Sequence, residues 1–288
     1  MRIVILSTDN EDYLLQWWFP HTTKYFDLGL VVDFNYRKNT EDQTEALMKK
    51  HCPHWAYVKI DTERVSNREW DIILNHFEDQ VRNQFPEAWI TILNPTEFIT
   101  GDTKILENIK EKTRVLMPCN MMIDRKELED VEPDPEVSLL LQRTNGIPYE
   151  NDFPHPYEGK TSQTFYELEK KYIERGLNVR DDVDHNIRWM RSIHNYRTNY
   201  LSDSNFGVGR HFWDSENYSK DIQICHMTYT PYTEKFRNRK LNIQQRLTEE
   251  DFFSGRGVHH RLTLQQMRTR KNFYDDLTTD LSSRIKLL

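Results

Sequence analysis

In the first third of the chain, four short apolar runs (Ile3–Leu6, Leu28–Phe34, Trp55–Ile60 and Trp89–Leu93) alternate with three stretches of helical character. Apolar runs this short, stopped abruptly by polar residues, read as strands buried on both faces of a parallel sheet. The intervening stretches run from about Glu11 to Phe26, Glu41 to Lys50 and Asn67 to Phe85. In the last of them Ile73, Phe77, Val81 and Phe85 recur every four residues, the signature of an amphipathic helix. Pro20 is expected to kink or split the first. This βαβαβαβ alternation predicts an α/β fold: a mostly parallel sheet flanked by helices on both faces.

Beyond Gly101 the pattern loosens. Val115–Pro118 reads as a strand, Glu127–Glu136 as an acidic surface loop, and Thr144–Lys160, with its Gly and Pro among aromatics, as an ordered loop. Helices are expected over Thr164–Arg175, Leu247–Phe252 and Leu262–Leu277. Without a repeat, low-complexity tract or linker, one domain is expected.

Composition narrows the function. A net charge of −7 argues against a nucleic-acid partner. Cys52, Cys119 and Cys225 cannot all pair and form no C-x-x-C, which suits a reducing compartment. The apolar run at Ile3–Leu6 is too short for a signal peptide, and no stretch approaches the ~20 apolar residues of a membrane span. These features predict a soluble, cytoplasmic protein with no integral membrane segment.

In open α/β sheets ligands sit beyond the carboxyl ends of the strands. Ser7, Thr8, Asp9 and Asn10 follow the first strand, where they either cap the next helix or contact a ligand. Asp33 and Asn35 end the second strand, where a carboxylate suits ribose hydroxyls or a uracil edge, or merely a solvent-facing turn. Arg68 opens the third helix, where on its own chemistry it reads as a solvated side chain, and Asn94, Thr96 and Glu97 follow the fourth strand. Farther on, Lys235 to Lys240 and Gly255 to Arg261 are basic. Lys235, Arg239, Arg256 and His259 are the candidates there for a diphosphate, beside the simpler reading of a solvated face. No H-E-x-x-H, G-x-S-x-G, Walker loop or strand-following G-x-G-x-x-G is present, which removes the zinc-protease, hydrolase-elbow, P-loop and dehydrogenase readings.

The segment from Trp89 to Phe98 resembles the Trp-(apolar)-Asp-x-Asp-Glu-Phe segment of GT-A glycosyltransferases, particularly family 2 and family 92-like members. Asn10-Glu11 with Leu14, Trp17 and Trp18 resembles the nucleotide-contacting turn of the same enzymes, and Asp33 with Asn35 their Asp-Asn segment. Arg68 is a nucleotide contact only by this family resemblance. His226, Tyr229, Arg239-Lys240, Gly255, Gly257 and His260 resemble the tail of some bacterial and large-DNA-virus transferases. The resemblance implies a nucleotide-sugar donor, a UDP sugar carrying xylose or a hexose. It also implies a glycan or glycoprotein acceptor, inversion at the anomeric carbon, and a carboxylate base from the acceptor half.

Asp152, Glu150 and Asp214 are the candidates for that base, with Tyr149, Phe153 and Trp213 as sugar-stacking aromatics. Residues 1–125 would form the nucleotide-sugar half and 126–288 the acceptor half of one domain. In the family the acidic cluster holds Mn2+ or Mg2+. Here Asn94 and Thr96 replace both aspartates, leaving Glu97 as the candidate metal ligand. Metal is then either held weakly and shared with the phosphates, or dispensed with. A degenerate transferase that binds a sugar nucleotide without turnover is the alternative, and a structural scaffold a further one.

Overall fold

The structure, a computed structural model, describes residues 1–9, 11–36, 42–149, 170, 174, 189–197, 212–213, 218–243, 245, 247–253 and 262–288. Its first third follows the alternation in the sequence. Strands β1 (Arg2–Thr8), β2 (Leu28–Tyr36), β3 (Ala56–Thr62) and β4 (Trp89–Leu93) alternate with helices α1 (Asp12–Thr22), α2 (Thr44–His51) and α3 (Asn67–Gln84). The four strands are all parallel, in the order β3-β2-β1-β4. The α/β expectation therefore holds, with a mostly parallel central sheet flanked by helices.

Alternate residues of these strands feed two cores, as strand geometry requires. Ile3, Ile5, Val32, Ile90 and Ile92 face α3, whose Ile73, Phe77, Val81 and Phe85 pack on them. Val4, Leu6, Val31 and Leu93 face the other way, onto Leu14, Leu15, Trp18 and Phe19 of α1. A capping box starts α3: Glu69 N–H donates to Ser66 Oγ at 3.1 Å, and Ser66 N–H to Glu69 Oε2 at 2.8 Å. Pro20 does not split α1. It lies in the last turn, where it withholds the N–H that would bond the carbonyl four residues earlier, and the helix ends two residues later at Thr22.

The chain leaves β4 through Asn94-Pro95-Thr96 and enters β5 (Glu97–Gly101), a strand that the sequence reading left unassigned. The long strand β6 (Arg114–Ile123) contains the predicted Val115–Pro118. The acidic stretch after it is mostly exposed and irregular beyond a short 3-10 turn at Lys126–Leu128. A short helix α4 (Leu139–Gln142) precedes β7 (Asn145–Ile147), where a loop had been expected. That strand forms because Gly146 has no side chain to meet the carbonyl of Met121 on β6.

Strand β8 (Trp189–His194) then lies between β4 and β6, antiparallel to both, with β9 (Phe212–Trp213) on it. Strand β10 (Ile222–Tyr229) runs parallel to β6 and antiparallel to β5. Helices α5 (Glu234–Ile243), α6 (Glu249–Phe253) and α7 (Leu264–Asp275) follow, and β11 (Thr279–Asp280) pairs with β7. The last two helices match those predicted at the C-terminus. The helix predicted over Thr164–Arg175 falls almost wholly outside the described residues.

Candidate functional site

From β1 the chain steps outward to β2 and β3, then returns to β4 on the opposite side of β1. The strand order thus reverses beside β1, and ligands of open α/β sheets bind at the carboxyl ends of strands at such a switch point. Ser7, Thr8 and Asp9 stand at the end of β1, Asp33 and Asn35 at the end of β2, and Asn94 and Thr96 just past β4.

Thr8 and Asp33 are neighbours in the β1–β2 register, and Asn35 lies two residues beyond Asp33, so the three side chains share one face. All are buried, and among the described residues Thr8 Oγ1, Asp33 Oδ1 and Asn35 Oδ1 each lack a hydrogen-bond partner. A buried polar atom left this way costs about 1–3 kcal/mol. Three of them on one face at a switch point form a subsite that a polar ligand would complete. The Asn35 amide is oriented by its other end: Nδ2 donates to Asp61 Oδ1 at 2.8 Å, which leaves the carbonyl oxygen for a donor.

Burial pushes the Asp33 carboxyl up to about 7. The Tyr57 hydroxyl, donating to Oδ2 at 2.6 Å, partly offsets this, and the neighbouring Asp42 carboxylate adds to it. Asp42 is held in turn by the N–H and hydroxyl of Thr44 at the start of α2. On the opposite face, Ser7 Oγ accepts from Trp70 Nε1 at 2.7 Å, and the Trp70 ring stacks on Phe34 with centroids 3.9 Å apart. Ser7 is thus tied to α3. Arg68 is exposed in the first turn of that helix.

The end of β1 is joined to the C-terminal third by α5. Arg239 Nε donates to the Asp9 carbonyl at 3.0 Å, and Nη2 lies 3.6 Å from Asp9 Oδ2 and 3.4 Å from Glu11 Oε1. Burial works against the guanidinium charge, but Glu11 and Asp9 more than compensate and raise the Arg239 pKa. Lys235, one turn earlier on α5, is exposed, and its charge acts on Asp12. The two basic residues predicted from this segment therefore flank the turn after β1.

Glu97 is engaged by its neighbours inside the protein. It is fully buried, its Oε1 accepts from both Nε (2.9 Å) and Nη2 (2.6 Å) of Arg191, and its Oε2 accepts from the Asn94 N–H at 2.8 Å. The Trp18 indole N–H donates to its carbonyl at 2.9 Å. Thr96 is buried, with its carbonyl accepting from the Met227 N–H at 2.7 Å, while Asn94 is half-buried. Among the described residues, no group of three or more His, Cys, Asp or Glu is placed to hold a metal ion.

The remaining candidates divide. Tyr149 is buried against Tyr218 and Met190, which is packing rather than a sugar platform. Tyr229 belongs to the core with Tyr232, Phe236 and Tyr274, and His226 faces the Thr228 hydroxyl at 2.6 Å. Asn10, Glu150, Asp152, Phe153, Asp214, Gly255, Arg256, Gly257, His259 and His260 lie outside the described residues. The sequence reading missed Tyr57, Trp70 and Arg191. Tyr57 sits inside a strand, where a polar tip reads as part of an apolar run, Arg191 lies in a stretch where the sequence predicts no strand, and only the fold brings each to its carboxylate.

No family model matches the chain, and no curated protein does. Among solved structures, residues 1–349 of TarS from S. aureus align with 93% of this chain and 77% of that one, at 13% identity and a TM-score of 0.29. A likeness that slight carries neither fold nor function, so the architecture stands on the strand order and register of the chain itself. Among the described residues, no helix is long and apolar enough to cross a membrane.

Proposed function

We propose that this protein is a glycosyltransferase that takes a sugar from a nucleoside-diphosphate donor, a UDP sugar, and transfers it with inversion to a hydroxyl of a glycan or glycoprotein. The observation that carries this reading is the trio of buried oxygens of Thr8, Asp33 and Asn35 at the switch point, without hydrogen-bond partners among the described residues. Asp33 and Asn35 offer acceptors to the N–H of a base or the hydroxyls of a ribose, and Thr8 offers a hydroxyl of either sense. The sequence resemblance of the same turns to GT-A enzymes supports the assignment, as does the placement of Lys235 and Arg239 near the turn after β1.

In the proposed reaction a carboxylate of the acceptor half, Asp152, Glu150 or Asp214, takes the proton of the acceptor hydroxyl. The oxygen bonds to the anomeric carbon as the carbon–oxygen bond to the diphosphate breaks. The nucleoside diphosphate leaves with the electron pair, and nearby cations stabilise the charge that builds on it.

A thermal-shift and hydrolysis screen of UDP-, GDP- and dTDP-sugars tests this directly. Stabilisation and slow hydrolysis of one donor, UDP-linked, is the expected result. Absence of any shift with every nucleotide would rule the reading out. A second reading, a sugar-nucleotide binder without turnover, draws on the sealed position of Glu97. Stabilisation with neither hydrolysis nor transfer would select it.

A further inference from the structure

The resemblance to metal-dependent transferases implies Mn2+ or Mg2+ at Asn94, Thr96 and Glu97, and the donor set can be tested against that cation. Such ions need several hard oxygen ligands at close range, with carboxylates foremost. Glu97 is the sole carboxylate of the three, and both of its oxygens are engaged: Oε1 by two nitrogens of Arg191, Oε2 by the Asn94 N–H. Glu97 and Arg191 are both buried, so their charges cancel inside the protein. A metal ion could take Glu97 only by stripping it from Arg191 and leaving a buried guanidinium without its carboxylate, which is strongly unfavourable. The residues present do not fit the cation.

We propose that the protein binds the diphosphate of its nucleotide ligand without a divalent metal. Glu97 and Arg191 act instead as a neutral strut between β5 and β8. The strut fixes the Asn94–Glu97 turn in the place where a metal cage would otherwise organise it. Glu97 is then a positioning residue. At this end of the sheet Arg239 of α5 offsets the Asp9 and Glu11 carboxylates that would otherwise face the diphosphate, and the exposed Lys235 is the cation beside that turn. This inference rests on the nucleotide-binding reading above.

The test titrates the full chain with UDP by calorimetry, once in EDTA and once with excess Mn2+, alongside the double variant Glu97→Gln/Arg191→Met, which removes both charges at similar volume. UDP should bind the wild type with dissociation constants equal within about threefold in EDTA and Mn2+, and the double variant, which binds more weakly because its turn is no longer held, should show the same indifference to Mn2+. The protein alone should leave the electron paramagnetic resonance signal of free Mn2+ unchanged. Tightening by roughly thirtyfold or more in Mn2+, about 2 kcal/mol, would overturn the inference while sparing the nucleotide-binding reading. Failure to bind UDP in either condition would overturn both. Should the double variant not fold, the wild-type pair of titrations decides alone.

Discussion

Arg191, on the antiparallel strand β8, places two guanidinium nitrogens on one carboxylate oxygen of Glu97, at 2.9 and 2.6 Å, with both residues buried. Removing one partner strands the other as a buried charge, whereas removing both need not be costly. Glu97→Ala and Arg191→Ala are each expected to lower unfolding free energy by about 3–5 kcal/mol in urea titrations. The double variant Glu97→Gln/Arg191→Met should lose less than either. Additive losses would show that the pair is not coupled.

Asp33 should link stability to pH. Its carboxyl titrates near 7 in the folded protein because it is buried, against about 4 in an unfolded chain. The folded state holds the proton more tightly, so this contribution is fully present below the unfolded value and is lost as pH rises through about 7. Asp33→Asn removes the dependence, and its stabilising effect should be on the order of 2 kcal/mol larger at about pH 8.5 than at about pH 5, read from urea titrations at each pH. Ligand binding should move the opposite way. UDP affinity of the wild type rises as the carboxylate ionises, while that of Asp33→Asn stays low across the range. A variant that binds UDP as tightly as wild type above pH 7 would remove Asp33 from the site.

Arg239 ties the end of β1 to α5 and offsets Asp9 and Glu11. Arg239→Ala leaves the two carboxylates facing an incoming diphosphate, and UDP affinity is expected to fall about tenfold or more, roughly 1.4 kcal/mol, by calorimetry. Arg239→Lys should recover only part of this. An ammonium cannot hold the Asp9 carbonyl and both carboxylates in the planar geometry of a guanidinium.

Gly101 closes β5 with φ +95°, and a Cβ there would run into the carbonyl oxygen of Asp221. The obstacle is backbone, which cannot swing aside as a side chain can. Gly101→Ala should therefore cost at least about 3 kcal/mol in chemical denaturation, from the positive φ and the overpacking together. A loss under about 1 kcal/mol would mean that the β5–β10 pairing yields more easily than a close-packed interior should.

The parallel half of the fold was legible because its signals are local. The four-residue spacing from Ile73 to Phe85 and the abrupt polar ends of Ile3–Leu6 and Trp89–Leu93 need no knowledge of distant chain. Strands β5, β8 and β10 escaped because their meaning is non-local. Arg191 inside β8 looks like an interruption until Glu97 is placed opposite it, nearly a hundred residues away in sequence. The site divides along the same line. Asp33 and Asn35 announce themselves at a strand end, and the basic residues of α5 by their density. The tie from Arg239 to Asp9 and the clasp of Tyr57 on Asp33 arise only when the sheet assembles. Glu97, the one acidic survivor of the motif, looked like a ligand in sequence because nothing nearby in the chain indicates the arginine that engages it.

Photoaffinity labelling with 5-azido-UDP-glucose, followed by peptide mapping, reads out both whether the nucleotide binds and where. The account predicts labelling, competed by UDP, in peptides that carry the carboxyl ends of β1, β2 and β3, around Thr8, Asp33 and Asp61. Labelling confined to other peptides, or labelling that UDP does not compete, would contradict it.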